Sequence, residues 1–190
     1  MHSPLTQYYA AASLDGFLAT QDGGIDWLLA FGDVASSYEA FIADVGAIAM
    51  GAGTYEWLIR HQVRPDSAHP RPWPYEQPTW VFTHRRLPVP PGVRVSLVSG
   101  DVRAVHTAMI ATAGRKNVWI AGGGDLAGQF RDGGLLDQII VQIVPVTLGE
   151  GRPFLPRAIQ SPPLTLKSVE RYGAILAELR YDVPKPAPAG

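Results

Sequence analysis

The sequence predicts an α/β protein built on a mostly parallel sheet, with helices on both faces and an antiparallel hairpin at one edge. Short apolar segments with strand character alternate with helical segments along most of the chain. Two of these strands lead through glycine-rich turns directly into helices. Near the carboxyl end, two strand-like segments flank Gly173 and Ala174, a pattern typical of a hairpin. Such alternation favours a parallel sheet because the connecting helices must cover both of its faces.

Length, charge and composition limit the kind of protein this is. The chain has 190 residues, and we expect one domain over residues 1–184 with a disordered tail at 185–190. A formal net charge of −1 argues against binding to nucleic acid or anionic lipid and favours a small-molecule partner. The chain has no cysteine, which excludes disulfides and cysteine nucleophiles. Because no signal-like or membrane-spanning run stands out, we expect a cytoplasmic protein.

The first part of the chain predicts two strands, a loop and a helix. Residues 5–12 form an apolar strand that ends at a turn, and residues 17–19 continue it beyond the turn. Residues 21–24 are polar and rich in glycine, which is typical of a flexible loop. A helix is expected over residues 36–44, capped by Ser36 or Ser37.

The middle of the chain contains the first strand–turn–helix unit. Residues 45–50 are a short apolar strand, residues 51–54 a tight turn, and residues 55–60 a helix. Five prolines within residues 61–78 argue against regular structure there. Residues 79–83 then predict another strand.

The remaining elements repeat this pattern and finish with a hairpin. Residues 93–98 predict a strand and residues 101–113 a helix. The second strand–turn–helix unit follows, with a strand at 117–121, a glycine turn at 122–124 and a helix at 125–131. Residues 136–146 predict one long strand, and residues 164–172 and 175–183 the hairpin. The long strand and the hairpin offer apolar edge surface, so we expect a homodimer that covers it.

The two glycine turns are candidates for anion binding. A glycine turn between a strand and a helix lets backbone N–H groups approach an anion, and the helix end adds partial positive charge. One such turn could equally be no more than a tight bend. If the two strands are neighbours, both turns could flank one pyrophosphate at the carboxyl edge of the sheet.

A basic segment follows the strand at residues 79–83. Thr83, Arg85 and Arg86 could bind a 2′-phosphate, which would select NADP over NAD. The alternative is a solvated basic loop. Neither glycine turn has the Gly-x-Gly-x-x-Gly pattern at the first strand, so an ordinary Rossmann domain is not expected.

Several motifs together resemble the dihydrofolate reductase fold over nearly the whole chain. They are Ala12-Ser13-Leu14-Asp15-Gly16, Met50-Gly51-Ala52-Gly53-Thr54-Tyr55 and Ala121-Gly122-Gly123-Gly124. Within that superfamily the sequence is similar to the C-terminal reductase domain of bacterial bifunctional riboflavin-biosynthesis enzymes. This second likeness rests on Leu135-Leu136-Asp137 and on Val144-Pro145-Val146-Thr147-Leu148-Gly149-Glu150-Gly151.

The resemblance implies NADPH-dependent hydride transfer and assigns the cofactor-binding residues. Cofactor phosphates would lie between the two turns, and the adenosine 2′-phosphate near the basic segment. Ala11, Ala12 and Ile25 match positions that line the nicotinamide pocket, and residues 22–26 would form a lid that excludes water. The implied cofactor contacts are Ala12, Ile25, Gly51, Gly53, Thr54, Thr83, Arg85, Gly122, Gly123, Gly124 and Asp125.

The substrate side departs from the dihydrofolate reductase pattern. An acidic residue is expected on the helix after Trp27, but Asp33 matches only if one residue is inserted. Asp26 is an alternative proton donor, whereas Asp15 fits a turn former. Five aromatic residues could form a wall for a flat heterocycle: Trp27, Tyr38, Phe41, Trp57 and Trp73. Trp27 and Tyr38 are the candidates for substrate binding, although each of the five fits an ordinary core equally well.

The leading hypothesis is an NADPH-dependent reductase of a small heterocycle, either ribosylaminopyrimidine-like or dihydropteridine-like. The alternative is a non-catalytic domain that binds or senses NADP(H). No metal site is expected because the five histidines lack metal-ligand spacing.

Overall fold

The computed structural model describes residues 3–32, 34 and 36–185 of the chain. Within these residues the strands are β1 (Thr6–Ser13), β2 (Phe17–Ala19), β3 (Val45–Gly51), β4 (Thr79–Phe82), β5 (Val95–Val98), β6 (Asn117–Gly122), β7 (Gln138–Val144), β8 (Arg152–Pro153), β9 (Thr165–Tyr172) and β10 (Leu176–Asp182). The helices are α1 (Asp26–Leu29), α2 (Tyr38–Ala43), α3 (Ala52–Leu58), α4 (Val102–Ala113) and α5 (Gly124–Asp132). A π-helical turn, Ile59–Val63, continues α3.

Eight strands form the central sheet in the order β5-β4-β3-β6-β1-β7-β10-β9. Every pairing from β5 to β7 is parallel, while β10 runs antiparallel to both β7 and β9. The short strands β2 and β8 pair separately. The predicted α/β class, with its parallel sheet and antiparallel edge hairpin, is therefore confirmed.

Helices pack on both faces of this sheet because side chains along each strand point alternately to one face and the other. On one face, α4 and α5 cover a core that includes Tyr8, Met109 and Phe130. On the other face, α2 and α3 cover a core that includes Tyr9 and Tyr55. No helix in the described part of the chain has the length and apolar composition needed to cross a bilayer.

A few elements differ from the sequence predictions. The expected strand at 136–146 is shorter and runs from Gln138 to Val144, and Pro145 directly after it has no N–H for the ladder. That strand, β7, lies between β1 and β10 rather than at an edge, so only β9 supplies the edge surface on this side. β8, α1 and the π-helical turn were not predicted. Of the expected tail, all but Lys185 lies outside the described residues.

Candidate active site

The two glycine turns lie side by side at the carboxyl edge of the sheet. They follow β3 and β6, which are parallel neighbours with Met50 opposite Gly122. Gly122 has φ +148°, and a Cβ added there would lie 2.9 Å from Thr54 Oγ1. Only glycine meets both conditions, because side chains rarely adopt this φ and the opposing turn leaves no room. The two turns therefore form one continuous wall.

This wall borders a cleft of about 1650 Å³. The cleft is large enough for a dinucleotide and a second small molecule. Nine of the predicted cofactor and substrate residues line it: Ile25, Tyr38, Gly51, Gly53, Thr54, Gly122, Gly123, Gly124 and Asp125. The sequence thus identified the wall of the cleft, while the roles of these residues remain predictions.

Asp125 lines the cleft in the first turn of α5, but its carboxylate is held by neighbouring side chains. It accepts hydrogen bonds from Gln129 Nε2 at 3.0 Å and from Arg157 Nη2 at 3.1 Å. The bond from Gln129, followed by the pairing with Arg157, lowers the pKa of Asp125 below its usual range. Its negative charge is therefore partly balanced by Arg157 at the edge of the cleft.

Arg152 supplies a positive charge to the cleft that the sequence analysis did not identify. It lies on β8, and its Nε donates to the carbonyl of Gln21 in the loop at 21–24 at 3.4 Å. A Cβ added at Gly53 would lie 3.4 Å from Arg152 Nη1, and one at Gly23 would lie 3.0 Å from Arg152 Cζ. The guanidinium therefore connects the predicted lid to the first glycine turn. In the sequence, Arg152 directly follows Gly151, the last residue of a motif that was used only to support the family resemblance.

The basic segment after β4 lies at the same edge of the sheet, beside the first turn, because β4 pairs with β3. Thr83 and Arg85 are not among the residues that line the cleft. Arg85 forms a two-pronged ion pair with Glu56 on α3, at 2.9 and 2.7 Å, and Thr83 Oγ1 accepts from Arg85 N at 3.0 Å. Hydrogen bonding to Glu56 raises the pKa of Arg85.

The remaining predicted residues lie elsewhere. Ala12 is 2 % exposed and is not among the residues that line the cleft, whereas Ala11, which was predicted with it, and Ala10 do line it. Asp26 and Trp27 open α1 and are also outside the lining. Asp33 lies outside the described residues. The proton-donor role of Asp26 and Asp33 and the substrate role of Trp27 stay predictions.

Of the other predicted wall aromatics, Trp57 lines the cleft, whereas Phe41 and Trp73 pack in the core beneath it. Trp119, which the sequence analysis missed, also lines the cleft. Its ring meets Tyr38 edge-on at a centroid distance of 5.9 Å, and its Nε1 donates to Tyr9 O at 3.0 Å. Its place on β6, just before the second glycine turn, was the available signal.

A buried polar cluster lies at the floor of the cleft and was also missed. Glu178 on β10 is 0 % exposed and forms an ion pair with Arg180 at 2.8 Å. Gln142 Nε2 donates to Glu178 at 3.0 Å, and Ser37 Oγ donates to the same carboxylate oxygen. Ser37 Oγ lies 3.3 Å from the hydroxyl of Tyr9. Gln142 and Tyr9 line the cleft, so the cluster reaches it through these two side chains.

Comparison with known proteins identifies the family to which this fold belongs. The chain matches the RibD C-terminal domain family over residues 4–177 and belongs to that family. The uncharacterized protein YwjB of Bacillus subtilis is 32 % identical over 93 % of this chain and 96 % of its own length. A second protein of that bacterium, YyaP, is 22 % identical over 90 % of each chain.

Solved structures show the same fold. A Shewanella sp. PV-4 protein with a provisional riboflavin-biosynthesis name superposes with a TM-score of 0.78 at 24 % identity, over 94 % of this chain and 98 % of its own. A pyrimidine reductase-like protein from Corynebacterium diphtheriae gives 0.64 at 16 % identity, over 96 % and 93 %. The deaminase/reductase of Thermotoga maritima gives 0.62 at 17 % identity, over 95 % of this chain but 56 % of that one.

Proposed function

We propose that this protein is an NADPH-dependent reductase that acts on a small nitrogen heterocycle. The observation that carries the proposal is the continuous wall of two glycine turns beside a cleft that is also lined by the aromatic residues Trp119 and Tyr38 and by the polar residue Gln142. Membership of the RibD C-terminal domain family supports an oxidoreductase. The cofactor and the substrate class are the finer parts of this proposal.

The residues of the wall fit the phosphate bridge of a dinucleotide. A Cβ added at Gly51 or at Gly123 would meet no atom within 4 Å, so the missing side chains leave open space at the cleft surface. The amino end of α5 contributes unpaired backbone N–H groups, and Arg152 contributes a full positive charge nearby. Space, donors and positive charge together suit a pyrophosphate.

The chain's own residues would bind, orient and shield the reactants. When bound, NADPH would supply the hydride. Gly51, Gly53, Thr54 and the turn at 122–124 would hold its phosphates, while Ala11 and Ile25 would face the nicotinamide. The loop at 21–24, tied to Arg152, would exclude water from the reacting atoms.

Selection of NADPH over NADH is assigned to Thr83 and Arg85. Glu56 holds the guanidinium of Arg85 beside the first glycine turn. A bound 2′-phosphate would compete with Glu56 for the same fork of N–H donors.

The direct test of catalysis is oxidation of NADPH by the purified protein, followed by the absorbance of the reduced cofactor. A ribosylaminopyrimidine, dihydrofolate and a simple cyclic imine serve as acceptors. Turnover that requires both NADPH and one acceptor supports the reductase. Saturable NADPH binding with no turnover on any acceptor would instead support a sensing domain and contradict the proposal.

A further inference from the structure

Among the described residues, Arg152 is the only positively charged side chain that lines the cleft. The nearby arginines Arg85 and Arg157 are already paired with acidic residues. Arg152 forms no ion pair in the part of the chain that the structure describes, and its hydrogen bond from Nε to the carbonyl of Gln21 is long, at 3.4 Å. Because a guanidinium has five N–H donors, most of those on Arg152 are available to an anionic ligand.

The segment that carries Arg152 is packed firmly on both sides of that residue. The carbonyl of Phe154 accepts a hydrogen bond from the hydroxyl of Tyr8 at 2.7 Å, and Tyr8 is fully buried. Gly151 lies so close to Ala19 that a Cβ added at Gly151 would collide with the carbonyl oxygen of Ala19. The guanidinium is therefore presented to the cleft from a fixed base.

The guanidinium lies between the loop at 21–24 and the first glycine turn. A Cβ added at Gly23 would lie 3.0 Å from both Cζ and Nη2 of Arg152, and one added at Gly53 would lie 3.4 Å from Nη1. Nε faces the carbonyl of Gln21. Nε and Nη2 are thus nearest the loop, while Nη1 also reaches the turn that we assign to the cofactor phosphates.

The loop is a compact unit that carries a negative charge. Gly23 N donates to Thr20 O at 2.9 Å, and Thr20 N donates to Gly24 O at 3.0 Å. Hydrogen bonds from the Thr20 hydroxyl and from the Gly24 N–H, with a smaller attraction from Arg152, lower the pKa of Asp22 below its usual range. Asp22 is therefore ionised at neutral pH. Its carboxylate and a bound pyrophosphate would repel each other unless a cation lay between them.

We propose that Arg152 bridges the loop at 21–24 and the pyrophosphate of the bound dinucleotide, so that cofactor binding and the ordering of the loop depend on each other. Arg152 contacts the cofactor and, through Gly23 and Gln21, positions the loop. The coupling is reciprocal, because each partner that fixes the guanidinium lowers the entropic cost of engaging the other. The inference rests on the proposed function, since it connects two parts of the same cleft.

Hydrogen exchange and calorimetry on the full chain test this bridge. Deuterium uptake of a peptide that covers residues 20–25 measures the order of the loop, and calorimetry gives the dissociation constants of NADPH and NADH. In the wild-type protein, saturation with either cofactor should lower the uptake of this peptide. Arg152→Gln should weaken NADPH and NADH by the same factor, about tenfold, because both carry the pyrophosphate. It should also abolish the protection of the loop.

Arg152→Lys separates the charge from the bridge. Lysine keeps the positive charge, but its single ammonium group cannot face the loop and the phosphates with different N–H groups as a planar guanidinium does. We expect this variant to recover most of the affinity that Arg152→Gln loses, without the protection of the loop. Recovery of both would show that the charge alone is sufficient, and the bridge would be overturned.

Gly23→Ala tests the same contact from the side of the loop, since the new methyl group displaces the guanidinium. NADPH and NADH should both bind at least about fivefold more weakly. In the Arg152→Gln background the same substitution should cost no further affinity, whereas a merely structural effect of Gly23→Ala would persist there.

The matched control is Gly100→Ala. Gly100 has φ +97°, against +91° for Gly23, so both substitutions strain the backbone alike. A Cβ added at Gly100 would meet nothing within 4 Å, and the residue does not line the cleft. This variant should keep the wild-type affinity for both cofactors, and thermal melting of each variant confirms that it is folded.

The outcomes separate this inference from the proposed function. Wild-type protein that binds neither cofactor contradicts the proposed function, and the bridge with it. Wild-type protein that binds both, with affinity or loop protection unchanged in Arg152→Gln, overturns the bridge alone. Equal losses in Gly23→Ala and Gly100→Ala would likewise count against it, because backbone strain would then account for the effect.

Discussion

The glycines of the cleft wall are required for two different physical reasons. Position 122 requires glycine because its φ is positive and because Thr54 approaches too closely to leave room for a Cβ. Gly51 has an ordinary extended backbone, with φ −79° and ψ 164°, and space around its absent side chain. Any residue could adopt that conformation, so the account assigns Gly51 to the ligand rather than to the fold.

Gly51→Val is therefore expected to fold normally and to bind NADPH at least about tenfold more weakly, because the added methyl groups enter the space proposed for a phosphate. Fluorescence titration and thermal melting measure the two effects. Gly133→Ala, at the carboxyl cap of α5 and outside the cleft, is the control and should keep full affinity. Unchanged NADPH affinity in Gly51→Val would contradict the placement of the phosphates.

Substitutions of Arg85 and of Glu56 are predicted to change NADPH affinity in opposite directions. Arg85→Ala should weaken NADPH by about tenfold or more and NADH hardly at all, since only NADPH has the 2′-phosphate. Glu56→Gln should strengthen NADPH, because it frees the guanidinium. Arg103→Ala removes another exposed, acid-paired arginine and is the control. Equal losses for NADPH and NADH in Arg85→Ala would refute the assignment.

The site residues that the sequence could predict are those identified by local pattern. A glycine turn between a strand and a helix can be recognised from a few consecutive residues. Thr54 and Asp125 were predicted with the turns because each directly follows a glycine of its turn. Arg152, Gln142 and Glu178 were not predicted because their meaning depends on strand order: Glu178 faces Gln142 only once β10 pairs with β7. Ala12 was assigned to the pocket from the family resemblance, which does not show that this residue is buried away from the cleft.

At the scale of elements, α4 is tied to the first strand by a partly buried imidazole. His106 Nε2 lies 2.7 Å from Thr6 Oγ1, and Thr6 is 1 % exposed. Burial lowers the pKa of His106, so the unfolded chain binds the proton more readily than the folded chain. The stability contributed by the neutral ring is thus complete above the ordinary pKa of about 6.5 and declines as the pH falls below it.

His106→Gln should reduce this acid sensitivity, because the amide retains a hydrogen-bonding group but has no proton to gain. Urea unfolding of wild-type and variant protein at several values between neutral pH and mild acid measures it. We expect the difference in unfolding free energy between them to shift in favour of the variant on acidification. A difference that does not vary with pH would show that His106 is not the titrating contact.

The elements missed by the sequence analysis are those defined by distant partners. β8 is two residues long and exists only because it pairs with β2, which also positions Arg152. The π-helical turn extends α3 into the proline-rich region and ends at Arg64, whose φ is +50°. By contrast, β3 and β6 were predicted nearly to the residue, since each is a continuous apolar run ended by glycine.

For the whole molecule, the order of strands and helices in the sequence was enough to predict the fold class. The exposed edge of the sheet indicates how two copies of the chain could associate. β9 is an edge strand, and a bulge opposite residues 180–181 brings Leu166 and Val169 to the same face. They are 52 % and 59 % exposed. We propose that a second copy of this chain covers this edge, which would remove both the apolar exposure and the unpaired strand.

The double variant Leu166→Lys and Val169→Lys should then shift the protein from dimer to monomer, with little change in the unfolding of the subunit. Light scattering coupled to size-exclusion chromatography gives the mass directly. Ser96→Lys, on the opposite edge strand β5, is the control and should leave the dimer intact. A monomeric wild-type protein, or a dimer that survives the double variant, would contradict this assignment.

The central claim is that the continuous wall of the two glycine turns holds the phosphates of NADPH. Trp57 and Trp119 line the same cleft, so titration of the full chain with NADPH and NADH, followed by tryptophan fluorescence, reports on it most directly. The account predicts saturable quenching by both cofactors, with NADPH binding at least about tenfold more tightly because only it carries the 2′-phosphate. Failure of both to bind would contradict the account.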